Sequence, residues 1–252
     1  MRRALLSSAV FAGALALLQA PAGATVTSGS SGAKRVEGSG NLVDQARTVG
    51  SFSAIKVTGP MDVQLKAGDQ EQVSVRFDDN LQPMIETVVT EGKTPTLEIR
   101  IARDAAFRAR KAPVVSVTFK RLEALSLSGS GEVRADRIQS PALAIAIAGS
   151  SDVRIDQVDT DTLGVSVAGS GDFTAAGRAD TQGIRIAGSG DVRTKGLIGK
   201  VVKIAIAGSG DAQVHANETL EVTIAGSGDV IYEGSPKITQ KIMGSGNVRA
   251  GK

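Results

Sequence analysis

From Ala124 onward the chain alternates apolar and small or polar positions. Leu125 and Leu127, Ile145 and Ile147, Val165 and Val167, Ile184 and Ile186, Ile204 and Ile206, Val222 and Ile224 each stand two apart, as in the stretch ALAIAIAG. A period of two marks a strand with one buried face. Each pair runs into Gly-Ser-Gly-Asp-Val or a near variant, beginning at Gly129, Gly149, Gly169, Gly188, Gly208, Gly226 and Gly244. The same parity resumes after the turn at Val133, Val153, Phe173, Val192, Ala212, Val230 and Val248. The last copy keeps Ile242 but has Gln240 where the others carry an aliphatic residue. Each unit reads as strand, tight glycine turn, strand and a looser second turn.

The turns recur at steps of 20, 20, 19, 20, 18 and 18 residues. Self-similarity at such a period is the signature of a repeat architecture. A meander of hairpins closed by the glycines would show the same alternation. The near-constant period favours stacking instead, with equivalent positions about 4.8 Å apart and the aliphatic columns forming one core. The expected fold is all-β, a parallel β-solenoid of 18–20 residues per coil over 123–250. The glycines supply the positive φ that a sharp reversal requires.

Residues 51–122 show strand alternation without clean repetition: Val73, Val75 and Phe77; Leu97, Ile99 and Ile101; Val115, Val117 and Phe119. Ile55 and Val57 ahead of Gly59-Pro60-Met61-Asp62-Val63 read as an eroded repeat unit. Asp78-Asp79-Asn80 and Glu91-Gly92-Lys93 read as turns, and Arg103 to Lys111 as a short helix. This irregular part is expected to cap the first coil, because an open stack end exposes unpaired strand edges. Residues 25–50, rich in Ser, Gly and Thr, read as a flexible linker. The phrase Gly38-Ser39-Gly40-Asn41 inside it echoes the repeat but lacks its flanks.

The chain opens Met1-Arg2-Arg3, continues with an apolar run from Ala4 to Leu18 and reaches Ala22-Gly23-Ala24. That is the layout of a signal peptide over 1–24, too short in its apolar core for a comfortable membrane span. Export to the periplasm, cell surface or medium is therefore expected, with no transmembrane segment after cleavage. Of 29 basic residues the leader takes Arg2 and Arg3, leaving near-neutral charge against 26 acids. There is no cysteine, hence neither disulfide nor lipobox. With export and only 3% aromatic residues, nucleic acid is not an expected partner.

The segment SFSAIKVTGPMDVQL, followed by a variable strand region and then by LSLSGSGEV, IAIAGSSDV, VSVAGSGDF and IRIAGSGDV, resembles the bacterial family called putative auto-transporter adhesin, head GIN domain. The resemblance spans about residues 50–250. It implies a right-handed β-helix-like fold over 51–250 in an exported envelope protein, with adhesion as the inherited label. No membrane barrel follows the last repeat, so self-export is not expected.

Two groups of residues invite a functional reading. Glu132, Asp152, Asp172, Asp191, Asp211 and Asp229, closed by Asn247, form an acidic column if the coils stack in register. Carboxylates at that spacing repel by roughly 0.8 kcal/mol per adjacent pair in water. A calcium ladder is one reading, since oxygen ligands suit that ion. The simpler one is that each Asp caps its own turn. Arg100, Arg103, Arg108, Arg110 and Lys111, with Lys120 and Arg121 beyond, form a basic cluster against Asp104. It is either a solvated face or a contact for anionic glycans or lipid headgroups.

Catalysis has thin support. His215 is the single histidine, Tyr232 the single tyrosine, and there is no tryptophan to stack a sugar ring. No catalytic, cofactor-binding or metal-binding residue is assigned, and a polysaccharide-acting enzyme stays an analogy with other β-helices. A curli-like self-assembling fibre subunit is a further alternative, weakened by the missing Gln and Asn ladders. The region near Arg249 shows no cap, and contact between copies of the chain is expected there. The sequence thus points to an exported, non-catalytic binding protein of the envelope or cell surface.

Overall fold

The computed structural model describes residues 35–251. Its first strands are β1 (Val36–Glu37), β2 (Leu42–Arg47), β3 (Ala54–Gly59), β4 (Asp62–Ala67) and β5 (Gln72–Asp78). A 3-10 turn over Asp79–Met84 leads to β6 (Ile85–Thr90), β7 (Thr96–Ile101), β8 (Phe107–Arg108) and β9 (Val114–Phe119). The repeats supply β10 (Ala124–Gly129), β11 (Glu132–Gln139), β12 (Ala142–Gly149), β13 (Asp152–Gly169) and β14 (Phe173–Gly188). They continue with β15 (Val192–Gly208), β16 (Ala212–Gly226), β17 (Val230–Glu233), β18 (Lys237–Gly244) and β19 (Val248–Ala250).

The alternation becomes columns. Leu125 pairs in parallel register with Ile145, Ile145 with Val165, Val165 with Ile184, Ile184 with Ile204, Ile204 with Val222 and Val222 with Gln240. Beyond the corner Val133, Val153, Phe173, Val192, Ala212, Val230 and Val248 stack the same way. All these inward residues except Gln240 and Val248 are buried in a single core. A one-residue slip would turn every one of them to solvent, so burial of one face fixes the register. The fold is a β-solenoid, and no hairpin joins the repeats. The 18-to-20 variation in step is absorbed after the second strand, where the pairing of β15 with β16 shifts between Thr194 and Val201.

The irregular part is a rearranged version of the same stack. β3 lies in register on β10, with Ile55 against Leu125 and Gly59 against Gly129, so the eroded unit is a full coil. The layer on its other side comes from further along the chain: Leu97 of β7 pairs with Ile55, and Val115 of β9 with Val63. Antiparallel strands then close this end, β6 along β7, β5 along β9 and β2 along β5. The cap thus works by reversing strand direction.

Two expectations on this part are corrected. The linker drawn over 25–50 gives way to structure within the described residues. β1 pairs with β8, β2 with β5, and the Gly38–Asn41 phrase is a turn fastened to the 3-10 segment through Asn41 Nδ2 donating to Asp79 at 2.9 Å. β2 carries Leu42, Val43 and Ala46 without alternation and buries none of them; backbone pairing with β5 holds it, and Arg47 donates to the Gln82 carbonyl at 2.8 Å. Residues 25–34, like the expected leader, lie outside the described residues. The helix expected over Arg103–Lys111 does not form either. That segment is the connection from β7 to β9, held by the β1 pairing and by Phe107 packing edge-on against Phe77 with ring centroids 5.5 Å apart.

The corner glycines are needed for two separate reasons. Gly188 has φ +133°, and a Cβ there would sit 2.3 Å from the Gly169 carbonyl oxygen. Gly190 has no positive φ, yet a Cβ would sit 2.1 Å from the Gly171 carbonyl oxygen. Glycine turns stack directly on glycine turns, leaving no room for a side chain. Gly188→Val should therefore lower unfolding stability by more than about 3 kcal/mol, combining strained backbone with a clash. A denaturant midpoint equal to that of the parent protein would refute the close-approach account.

Candidate functional site

The acidic column lies just past the glycine corner. A coil that turns there must find acceptors for three successive amides. Ser189 N–H donates to the Gly169 carbonyl at 2.9 Å, and Gly190 N–H shares that carbonyl at 3.1 Å. Asp191 N–H has no carbonyl in reach and donates to Oδ1 of Asp172 at 2.9 Å. The pattern repeats from Asp172 to Asp152, Asp211 to Asp191, Asp229 to Asp211 and Asn247 to Asp229, at 2.7–3.0 Å. Each carboxylate therefore serves the amide of the following coil, which corrects the expectation that each Asp caps its own turn. Asn247 is compatible with its place because its amide is the donor used. Asp62 joins the column from the rearranged coil, accepting from Glu132 N–H at 3.1 Å.

The ladder breaks once. Glu132 turns its longer side chain to Arg134, at 2.7 and 3.1 Å, and Asp152 N–H donates to the Gly131 carbonyl instead. This is also the step where Ser151 stands in place of the second glycine. Charge repulsion along the column is met locally: Arg193 reaches Asp172 at 2.6 Å and Asp191 at 2.8 Å. Among the described residues no group of three or more His, Cys, Asp or Glu side chains is arranged to hold a metal ion. Elsewhere on the coils, hydrogen bonds from Arg178 and Lys200, each at 2.9 Å, hold the Asp180 carboxyl down at about 2.

The basic cluster divides in two. Arg100 lies on β7 between Glu86 at 2.7 Å and Glu98 at 3.4 Å, so its charge is already answered. Lys120 pairs with Glu71, and Arg121 with Glu123. Arg103, Arg108, Arg110 and Lys111 are exposed in the connection between β7 and β9 and form no ion pair among the described residues. This connection stands where the regular coils have their four-residue glycine corner. The β1–β8 pairing brings a further exposed cation, Arg35, next to the same segment.

Other features bring little chemistry together. His215 is partly exposed, with Nε2 3.1 Å from Asn217 Oδ1 and Nδ1 3.8 Å from Glu233. A cleft of about 700 Å³ lies between Thr48–Ser51 and the β6 side, and Glu91 is the one titratable side chain lining it. A smaller depression of about 360 Å³ lies over Thr174, Ala175 and Ala176, rimmed by Arg154, Arg193 and Lys195.

The sequence profile of the family described as putative auto-transporter adhesin, head GIN domain, matches residues 51–236. No curated protein matches the chain in sequence. Solved structures share the fold. A putative adhesin from Bacteroides fragilis superposes with TM-score 0.81 at 23% identity, covering 85% of this chain and 99% of its own. A putative lipid binding protein from Parabacteroides distasonis gives 0.71 at 26% identity, covering 87% and 100%. A putative adhesin from Parabacteroides merdae gives 0.72 at 24% identity, covering 86% and 99%.

The ladder makes a direct prediction. Asp211→Ala leaves the Asp229 amide without its acceptor and should cost about 1–3 kcal/mol, whereas Asp211→Asn keeps an acceptor oxygen and should cost under about 1 kcal/mol. Urea unfolding of the two variants distinguishes them. Equal losses would mean that the hydrogen bond contributes nothing to the corner.

Proposed function

The chain belongs to the putative auto-transporter adhesin, head GIN domain family, and from that premise we propose that it is an exported, non-catalytic, adhesin-like protein that meets an anionic surface through the exposed cations of the β7–β9 connection. The observation that carries this reading is the set Arg103, Arg108, Arg110 and Lys111, free of ion pairs among the described residues and clustered in one exposed segment. On the coils Arg178 and Arg193 are answered by neighbouring aspartates, and the cations without an ion pair among the described residues, such as Arg137, Arg185 and Arg249, stand singly on separate strands. Arg100, counted with the cluster from sequence, supports β6 against β7 and is not part of the contact. The solenoid serves as a rigid mount. Phosphate-bearing lipid headgroups are the partner class the charges fit best, and a structural neighbour is itself described as lipid binding. Anionic glycan is the second reading, resting on the same cations.

Basic residues near an anionic membrane surface contribute about 1 kcal/mol each. Replacing Arg103, Arg108, Arg110 and Lys111 together by Gln should therefore weaken binding to phosphatidylglycerol-containing vesicles by roughly a thousandfold at low salt. Neutral phosphatidylcholine vesicles should capture neither protein. Vesicle co-sedimentation reads both. Undiminished binding of the variant would remove the cation set from the reading, and a soluble anionic polysaccharide competing equally well would favour glycan.

Export rests on the leader pattern over 1–24. Processed protein should accordingly be recovered outside the cytoplasm, with its new N-terminus at Thr25. Protease treatment of intact and of lysed cells then separates cell surface from periplasm. Unprocessed protein in the cytosolic fraction would overturn the export reading.

A further inference from the structure

β18 is hydrogen-bonded along one edge only among the described residues, to β16. Its sequence is Lys237-Ile238-Thr239-Gln240-Lys241-Ile242-Met243-Gly244. Ile238, Gln240 and Ile242 continue the inward columns over Leu220, Val222 and Ile224, but Ile238 is 36% exposed and Gln240 is open to solvent. Met243, on the outward side, is 52% exposed. The core thus reaches this edge without being closed over. At the other end β7 and β9 are taken by antiparallel β6 and β5.

We propose that this edge joins a second copy of the chain in an antiparallel, two-fold symmetric pairing centred on Gln240. Two copies meeting through one and the same edge must run antiparallel, and such a contact is self-complementary. Because directly opposed residues point to the same face, the inward residues select the register. Centred on Gln240, the pairing sets Ile238 against Ile242 of the second copy, twice, and continues the aliphatic core. Gln240 meets its own symmetry mate, where two amides can each donate and accept. A polar residue in the inward column is anomalous in a lone coil and suited to that position. The outward face agrees: Lys237 falls opposite Met243, and Lys241 opposite Thr239, so no lysine directly faces a lysine.

The reversal also brings the residues after β18 toward those before β18 in the second copy. Arg249, without an ion pair among the described residues, comes to the side of Glu233, whose one ionic neighbour is His215 at 3.8 Å. Head-to-tail growth would instead need the end already closed by β5 and β6. The edge therefore directs pairing toward a closed dimer.

The chain has no cysteine, so a single introduced thiol reports the register without interference. Opposed residues in an antiparallel pair have Cα atoms about 4.5–5.5 Å apart, within disulfide range. Thr239 and its mate would be offset by two residues and lie roughly 8 Å apart, beyond that range. Under mild oxidation of full-length protein recovered from cells, Gln240→Cys should give mostly disulfide-linked dimer and Thr239→Cys almost none. Sedimentation should find the parent protein dimeric, and Ile238→Asp should shift it to monomer with an unchanged far-ultraviolet circular dichroism spectrum. A monomeric parent at about 100 μM with no Gln240→Cys cross-link would overturn the proposal, as would equal cross-linking of both thiol variants.

Discussion

The approach of one glycine corner onto the next is the contact on which the stack depends. Strand spacing in a parallel sheet is set by backbone hydrogen bonds at about 4.8 Å, whatever the side chains prefer. Along a flat strand that spacing is easily met, since side chains point above and below the sheet. At a corner the chain turns through itself, and a Cβ would point at the neighbouring carbonyl. Removing the Cβ at two positions of each turn solves the problem for every layer at once. Where Ser151 replaces the second glycine, the amides are redistributed, with Asp152 N–H moving to the Gly131 carbonyl and Ser151 Oγ accepting from Gly131 N–H at 3.3 Å.

The aspartate beside each corner is explained by the same geometry. Turning the backbone leaves one amide per coil away from any carbonyl, and an unpaired amide is costly to bury. The carboxylate below supplies the missing acceptor. The column is acidic because an Asp oxygen has the right reach, whereas Glu132 is one methylene too long and is drawn to Arg134 instead. Aligned charge is the consequence of this arrangement, and Arg193 offsets part of it.

The inward columns were legible from sequence because a strand with one buried face writes its orientation into every second residue. Leu125, Ile145 and Val165 align from the repeat alone, and they stack in that register. The glycines were legible as turns, but the absence of space at Gly190 was not, because the crowding atom belongs to another coil. The partner of Asp211 was hidden for the same reason: its donor lies eighteen residues away and becomes adjacent only once the register is set. β2 is not legible in the sequence because Leu42 and Val43 stand side by side, so a strand held by backbone pairing shows no alternation. Arg100 looked like part of a free cluster because Glu86, across an antiparallel pair, could not be placed beside it. The cations of the β7–β9 connection stand out in the sequence and are exposed in the fold, yet a composition of Ala and Arg suggests a helix that the short span between two fixed strands and the Phe107 contact do not permit.

The placement of β3 and β4 between layers from later in the chain also bears on how the molecule assembles. A regular coil needs only the next 18 to 20 residues to find its neighbour, as Leu125 finds Ile145. The β3 coil must wait for β10, which pairs Ile55 with Leu125 across seventy residues. Closing the longer loop carries an added entropic cost of about 1 kcal/mol relative to a regular step. Local steps are therefore favoured first, and the repeats from β12 to β16 are the natural nucleus. Within the capped end the β6–β7 hairpin closes over a still shorter span, from Thr90 to Thr96, so the step left to the end is the docking of the β3 coil onto β10.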